Sequence, residues 1–379
     1  MDKTLLAALA GALTTLAAAP ATAADFKAGD WDLSLGGIVN AFYTHTQCAG
    51  SQAVGGLGLA TQALGCAGAT SRTVIGNGLL PNALVTTAKT RQDGVDVGAT
   101  LMIGAATSSG DAIANNNDVD VRQAFLTFGD ASIGTFKLGR DYGLFGKPAI
   151  LGDMTLFGAG APVAATQRNR VTLGHIGAGY TYLGTYGQAA WTTPDLSGFS
   201  ATFALVSPVD GDGNAYVGGS SPQVQAAASY TFSAGKAWVG AKSQKFDDPA
   251  GAGFTMSGGE VGASVAIGAF GALANVQSGK GLGVLSDGDS GPRQQTDVLV
   301  QATLQATPRI KLGLGWGESR LDGGATTDLR SNANLTGGLY YALTRSLTLT
   351  AELSRTESKD VTGDKASMNG VAAGGILFF

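Results

Sequence analysis

The sequence predicts an all-β fold, an antiparallel barrel whose strands cross a lipid bilayer. Three observations predict it. Segments of roughly nine to twelve residues, the length that crosses a bilayer at a tilt, alternate apolar with small or polar side chains. Tight turns and long polar connections follow one another along the chain. Charge is scarce: charged residues are 14% of the chain, with 24 Lys and Arg against 28 Asp and Glu. That share is about half the usual one, while the 59 glycines are about twice theirs. A chain so poor in charge does not read as disordered. Its net charge of −4 argues against a nucleic-acid binder, which needs a basic face. Glycine follows no Gly-X-Y period, which excludes collagen.

In chain order, residues 1–23 read as an export leader, with 24–379 as the mature barrel. Lys3 supplies a basic start and Leu5 to Ala19 an apolar stretch. Ala21-Thr22-Ala23 is a small-x-small cleavage site. The apolar stretch is shorter than the ~20 residues a spanning helix needs. Export suits the two cysteines, Cys48 and Cys66. In an oxidising compartment they are expected to close a loop as a structural disulfide. No C-x-x-C or histidine cluster accompanies them, so no metal or other cofactor is expected.

Sixteen strands are expected, at 30–45, 82–91, 94–107, 118–129, 132–142, 186–193, 198–206, 224–233, 236–246, 256–267, 270–279, 295–306, 309–318, 332–343, 347–357 and 368–379. The alternation is plainest late in the chain. Ile310, Leu312, Leu314 and Trp316 interleave with Lys311 and three glycines, and Leu347, Leu349, Ala351 and Leu353 with Thr348, Thr350 and Glu352. A period of two puts each set on its own face of a sheet. The charge-free stretch Val261 to Gly279 also alternates and is interrupted by glycines, so it reads as strands rather than a spanning helix.

An even strand number suits a closed bacterial outer-membrane barrel, with lipid outside and water within. Gln92-Asp93, Ala234-Gly235, Gly268-Ala269, Thr307-Pro308 and Thr344-Arg345 are tight turns, which collect on one rim. The polar stretches 46–81, 143–185, 207–223, 280–294, 319–331 and 358–367 collect on the other. Such asymmetry is the pattern of short periplasmic turns and long external loops. The chain ends Ile376-Leu377-Phe378-Phe379, an aromatic end that suits a strand finishing at the membrane interface.

A barrel of this kind sorts solutes at a narrow charged constriction. The longest connection, 143–185, is the candidate to fold inward and form it. Asp153 is its central acidic residue and is expected either to face the lumen or to cap a short loop helix. Facing it, a basic set is expected. Arg122 is assigned inward because Phe125 is assigned outward; Lys89 and Arg91 share one parity; Arg168 and Arg170 stand at the loop exit. Positive and negative walls across a narrow gap make a transverse field that orients dipolar solutes. Gln123 and Thr127, assigned outward, make that face too polar for lipid and point to a protein-covered surface.

Asp120-Val121-Arg122-Gln123-Ala124-Phe125, followed by Gly134-Thr135-Phe136-Lys137-Leu138-Gly139-Arg140-Asp141-Tyr142-Gly143, resembles the trimeric general porins of Gram-negative bacteria. Gln167-Arg168-Asn169 is similar to the step at that family's loop exit. The resemblance implies a homotrimer in the outer membrane, in contact with its lipid and lipopolysaccharide and passing small hydrophilic solutes and ions. It places Arg122 and Arg168 in the basic cluster, Asp153 in the acidic loop, and Arg140 in the Gly-Arg-Asp-Tyr motif that leads into the constriction. It makes Phe379 an assembly signal. The loop departs from the family in its poverty of acid, since Asp153 stands alone between Lys147 and Arg170. The competing readings are a substrate-specific channel of the same fold and an outer-membrane enzyme. Only two histidines, His45 and His175, are available to the latter, with no nucleophile motif beside them.

Overall fold

The computed structural model describes residues 23–108, 119–168, 171–211 and 216–379, and of Arg168 the backbone alone. The expected leader lies outside these residues except for Ala23. The strands are β1 (Ala24–Ala28), β2 (Trp31–Gly50), β3 (Ser71–Gly76), β4 (Ala83–Gln92), β5 (Val95–Ala105), β6 (Val119–Asp130), β7 (Gly134–Tyr142), β8 (Thr185–Thr192), β9 (Phe199–Val206), β10 (Val217–Gly218), β11 (Gln223–Phe232), β12 (Gly235–Asp247), β13 (Phe254–Ile267), β14 (Phe270–Lys280), β15 (Gln294–Thr307), β16 (Ile310–Leu321), β17 (Leu329–Ala342), β18 (Leu347–Asp360) and β19 (Lys365–Phe378). Two short helices, α1 (Gln62–Gly65) and α2 (Lys147–Gly152), lie in connections.

These make a closed antiparallel barrel of sixteen wall strands. Each wall strand pairs with the next, and β19 closes on β2, with Ala366 opposite Gly50 and Phe378 opposite Ile38. The three strands not expected from sequence complete others. β3 and β4 both pair with β2 and form one interrupted wall strand. β10 continues β11 along β12. β1 pairs with Trp31 to Leu35, taking up the edge of β2 where β19 ends. There the Gly37 N–H donates to the Phe379 carbonyl at 2.8 Å, so β1 and β19 run head to tail in the wall.

The period-two pattern builds this wall. Leu314, Leu353 and Phe270 point outward and are 58%, 67% and 67% exposed. A belt of such residues is unfavourable in water, while in hydrocarbon it is at home and the ladder satisfies the backbone. Phe128, Phe136, Trp191, Phe203, Tyr230 and Phe232 gather outward near the short-turn rim as an aromatic girdle; Phe128 stacks on Phe136 at 5.2 Å. The β4–β5 turn has Asp93 and Gly94 at φ 49° and 83°, the two left-handed positions of a tight hairpin.

One parity assignment is corrected. The β5–β6 register shifts so that Met102 faces Gln123 and Ile103 faces Val121, leaving Arg122 as an extra residue. This bulge turns two successive side chains to the same side. Arg122 is inward as expected, but so are Gln123, Phe125 and Thr127, while Ala124, Leu126 and Phe128 face out. The outward polar face inferred from Gln123 and Thr127 is therefore absent.

Candidate functional site

The barrel interior is occupied by the long connection between β7 and β8. Gly146 at φ 78° turns the chain into α2, and a 3-10 turn follows at Met154–Phe157. The wall holds this loop through side chains that accept its backbone N–H groups. Gln225 Oε1 accepts from Leu144, Glu260 Oε1 from Gly146 and Gln301 Oε1 from Met154, at 2.6–3.0 Å. Glu352 Oε2 accepts from both Ala159 and Gly160, at 2.7 and 2.8 Å, while its Oε1 accepts from the Tyr340 hydroxyl. Acid missing from the loop thus stands on the wall strands. Phe157, Ala161 and Tyr180 of the loop are buried against wall residues such as Leu299, Leu273 and Ile376.

Lumen-facing glycines on β16 permit this approach. A Cβ on Gly313 would lie 2.6 Å from Met154 Sδ, one on Gly315 3.1 Å from His175 Cε1, and one on Gly317 would overlap the Ala178 carbonyl. Two further loops close in from the long-loop rim. Cys48 and Cys66 form a disulfide that ties down the 51–70 segment. Leu59 and Ala60 there donate N–H to Asn332 and Ser358 of the wall. In the β14–β15 connection, Asp287 accepts from Lys242, Gln223 and the Tyr186 hydroxyl.

The filling is lopsided. Lumen-facing Gln277, Asp297, Leu299, Ser319, Asn334 and Thr336, on β14–β17, are at most 1% exposed. Across the barrel, Asp120, Gln123, Thr127, Lys137 and Tyr142 on β6 and β7, with Tyr182 of the loop, keep partial exposure. On the β6–β7 wall these partly exposed groups surround Arg122, Phe125 and Asp141, which are themselves buried.

The expected constriction residues divide. Arg122 stands on this wall, only 7% exposed, its Nε donating to Asp120 Oδ2 at 2.7 Å and its Nη1 to the Tyr182 hydroxyl at 3.4 Å. Lys89 faces the lumen nearer the short-turn rim, and Arg91 is at that rim, paired with Asp96 at 2.7 Å and well exposed. Arg140 points outward: it pairs in register with outward Ala124 and donates to Thr185 Oγ1 at 3.1 Å. Its neighbour in the motif, Asp141, is the inward one, bonded to Lys137 and Gln123. Arg168 contributes its backbone to a 3-10 turn, and Arg170 lies outside the described residues.

Asp153 is enclosed, and its carboxylate is used within the loop. Oδ1 accepts from the Thr155 N–H and hydroxyl, capping the 3-10 turn. Oδ2 accepts from the Tyr180 hydroxyl at 2.7 Å and from His175 Nδ1 at 3.0 Å. The capping expectation fits this carboxylate; it offers no free charge to the lumen because five donors from its own loop surround it, the His175 backbone N–H being the fifth. Burial alone would raise its pKa, but the His175 charge and the converging hydrogen bonds hold it below the usual carboxylate range. Burial likewise works against protonated His175, and Asp153 outweighs it, raising the imidazole above its usual range.

Sequence reading missed Glu260, Glu352, Gln225 and Gln301. Their only signal was polarity at lumen-parity positions in mid-strand.

A bilayer-spanning barrel narrowed by a loop folded across a polar lumen defines an outer-membrane diffusion channel. The family comparison agrees: the chain matches the Gram-negative porin family over residues 6–361 and belongs to it. Solved structures of similar fold include the outer membrane channel DcaP of Acinetobacter baumannii, with TM-score 0.69 at 16% identity, covering 94% of this chain and 100% of that one. An anion-selective porin from Comamonas acidovorans gives 0.65 at 16%, covering 92% and 100%. Salmonella typhi OmpF, in complex with daunomycin, gives 0.59 at 13%, covering 93% and 100%. At these identities the likeness is one of fold. No curated protein matches the sequence.

Proposed function

We propose that small hydrophilic solutes and ions cross between the long loop and the β6–β7 wall, past a constriction whose positive group is Arg122. The observation that carries this is the set of partly exposed groups on the lumen side of β6 and β7, with Arg122 among them at the β5–β6 bulge. Passage, rather than covalent chemistry, is then the activity. Single-channel recording in planar bilayers under a salt gradient tests it; stepwise conductance is expected, and its absence at any voltage refutes the reading. Arg122→Gln is expected to move the reversal potential toward cations while the barrel still folds. An unchanged reversal potential removes Arg122 from the constriction. A solute preferred sharply over others of equal size would favour a substrate-specific channel.

We also propose a homotrimer, supported by Arg140. It stands exposed on the outer face as the seventh of the nine residues of β7, on the long-loop side of its middle. A lipid-facing arginine costs up to ~2–4 kcal/mol, less toward the interface, and a protein-covered face avoids that cost. Arg140→Ala is expected to shift extracted protein from trimer toward monomer on native gels; an unaltered trimer places Arg140 elsewhere. Phe379, proposed as the assembly signal, completes the closing ladder opposite Gly37. Deleting it should lower the yield of folded protein more than the conductance of what folds, and full yield would count against that role. The proposed leader is checked by the N-terminal sequence of exported protein, expected to start at Ala24 or Asp25.

A further inference from the structure

The segment 51–70 lies over the long-loop ends of three neighbouring wall strands. The Leu59 N–H donates to Asn332 on β17 at 3.1 Å and the Ala60 N–H to Ser358 on β18 at 2.9 Å. A Cβ on Gly65 would stand 2.8 Å from Met368 Sδ on β19. The same segment meets the long loop, where the Ala164 and Ala165 N–H groups donate to the Gly65 and Leu64 carbonyls at 3.0 Å. It is thus a wedge between wall and loop. Its own regular structure is α1, four residues, too short to hold itself. The disulfide from Cys66 to Cys48, 18 residues back on β2, anchors it covalently to the wall.

The wall beneath the wedge is polar. Lumen-facing Asn332, Asn334 and Thr336 on β17, with Thr356 and Ser358 on β18, are at most 1% exposed, and all are amides or hydroxyls without charge. A face covered for good favours apolar side chains, since a buried polar group is costly unless bonded. Here Asn334 donates to Thr356 Oγ1 at 2.9 Å and accepts from the Thr336 hydroxyl at 2.7 Å, so these three satisfy one another without the wedge. Of the five, only Asn332 and Ser358 bond to it, and water can replace those bonds. The β17–β18 and β18–β19 ladders are complete without it.

We propose that 51–70 is an autoinhibitory plug, latched by the Cys48–Cys66 disulfide, over a second and uncharged lane of the channel. The inference rests on the channel reading and adds a gate to it. Release is a thiol–disulfide exchange. A small dithiol is oxidised to its disulfide, the Cys48–Cys66 bond breaks, and two electrons and two protons pass to the cysteine sulfurs, leaving two thiols. The bond restricts the conformations open to the released segment, so cutting it favours release. A lane of amides and hydroxyls suits neutral polyhydroxy solutes, which hydrogen-bond to both.

The test records folded protein in planar bilayers before and after dithiothreitol, with reduction verified by the mass of alkylated cysteines. Conductance is expected to rise about twofold as a second lane opens beside the first, with weaker ion selectivity, and reoxidation to reverse both. Cys48→Ser/Cys66→Ser should behave as the reduced protein does. Should that variant fail to fold, verified reduction decides; should reduction stay incomplete, the variant decides. Hydrogen exchange gives a readout apart from conduction: peptides covering 51–70 are expected to exchange about tenfold faster or more once the bond is cut. Unchanged exchange overturns the latch. Faster exchange with unchanged conductance overturns the lane and leaves the channel reading intact. Conductance that appears only after the bond is cut supports the plug and refutes the path along β6 and β7. Silence in both forms refutes the channel reading, and the lane with it.

Discussion

Glu352→Ala is expected to release the middle of the long loop from the barrel wall and to raise single-channel conductance, with larger and noisier openings. The carboxylate of Glu352 accepts three donors at once: the N–H groups of Ala159 and Gly160 and the hydroxyl of Tyr340. Removing it leaves all three without this acceptor in a buried place, at about 1–3 kcal/mol each. A change of even one or two kcal/mol alters a two-state ratio by a factor of about 5–30. Docked and released loops should therefore exchange population decisively. Substitution from the loop side gives an independent check. A Cβ on Gly158 would overlap Glu352 Oε1, so Gly158→Val should act in the same direction. Glu352→Gln, which keeps one acceptor oxygen, should fall between. Wild-type conductance in both Glu352→Ala and Gly158→Val would mean that this contact does not hold the loop.

Much of the wall was legible because a strand advertises itself locally. Each of the sixteen expected segments overlaps an observed wall strand, since period-two alternation is imposed by lipid on one side and water on the other. What failed did so for identifiable reasons. β3 offers only six residues, with Val74 and Ile75 adjacent, and so carries no alternation to count. The bulge at Arg122 inserts one residue that no local pattern marks, and every parity counted across it inverts; an inward Arg122 was thus reached from a Phe125 misplaced outward. The loop's supports are invisible for a different reason. Glu260 and Glu352 meet Gly146 and Ala159 across 114 and 193 residues of sequence. Gly313, Gly315 and Gly317 could be assigned to the lumen by parity, but the reason for glycine there is the body of the loop pressed against them.

The second large effect concerns pH, through the enclosed pair of Asp153 and His175. The two residues stand on the outgoing and returning limbs of one loop, 22 residues apart, and both side chains are 0% exposed. Tyr180 shares the Asp153 carboxylate, and Glu352 adds negative charge near His175. His175 has its pKa raised in the folded protein, so its contribution is complete below the ordinary histidine value of 6.5 and is lost as pH rises through the raised one. Asp153 has its pKa lowered, so its contribution is complete above the ordinary 3.8 and is lost as pH falls through the depressed one. The loop should therefore be held most firmly between pH 3.8 and 6.5 and loosen toward both extremes. Limited proteolysis of the 143–184 segment across pH measures this directly. Cleavage in the wild type is expected to be slowest in that window and to rise on the alkaline side as His175 loses its proton. Asp153→Asn leaves a buried imidazole without its counter-charge, a change that costs about 3–5 kcal/mol when one partner of such a pair is removed. It should raise cleavage at neutral pH and shift the alkaline rise to lower pH, because burial then depresses His175 unopposed by that carboxylate. His175→Gln should abolish the alkaline rise altogether. If both variants kept the wild-type profile, the pair would have no part in holding the loop, and the pH response of the channel would have to come from groups on the wall.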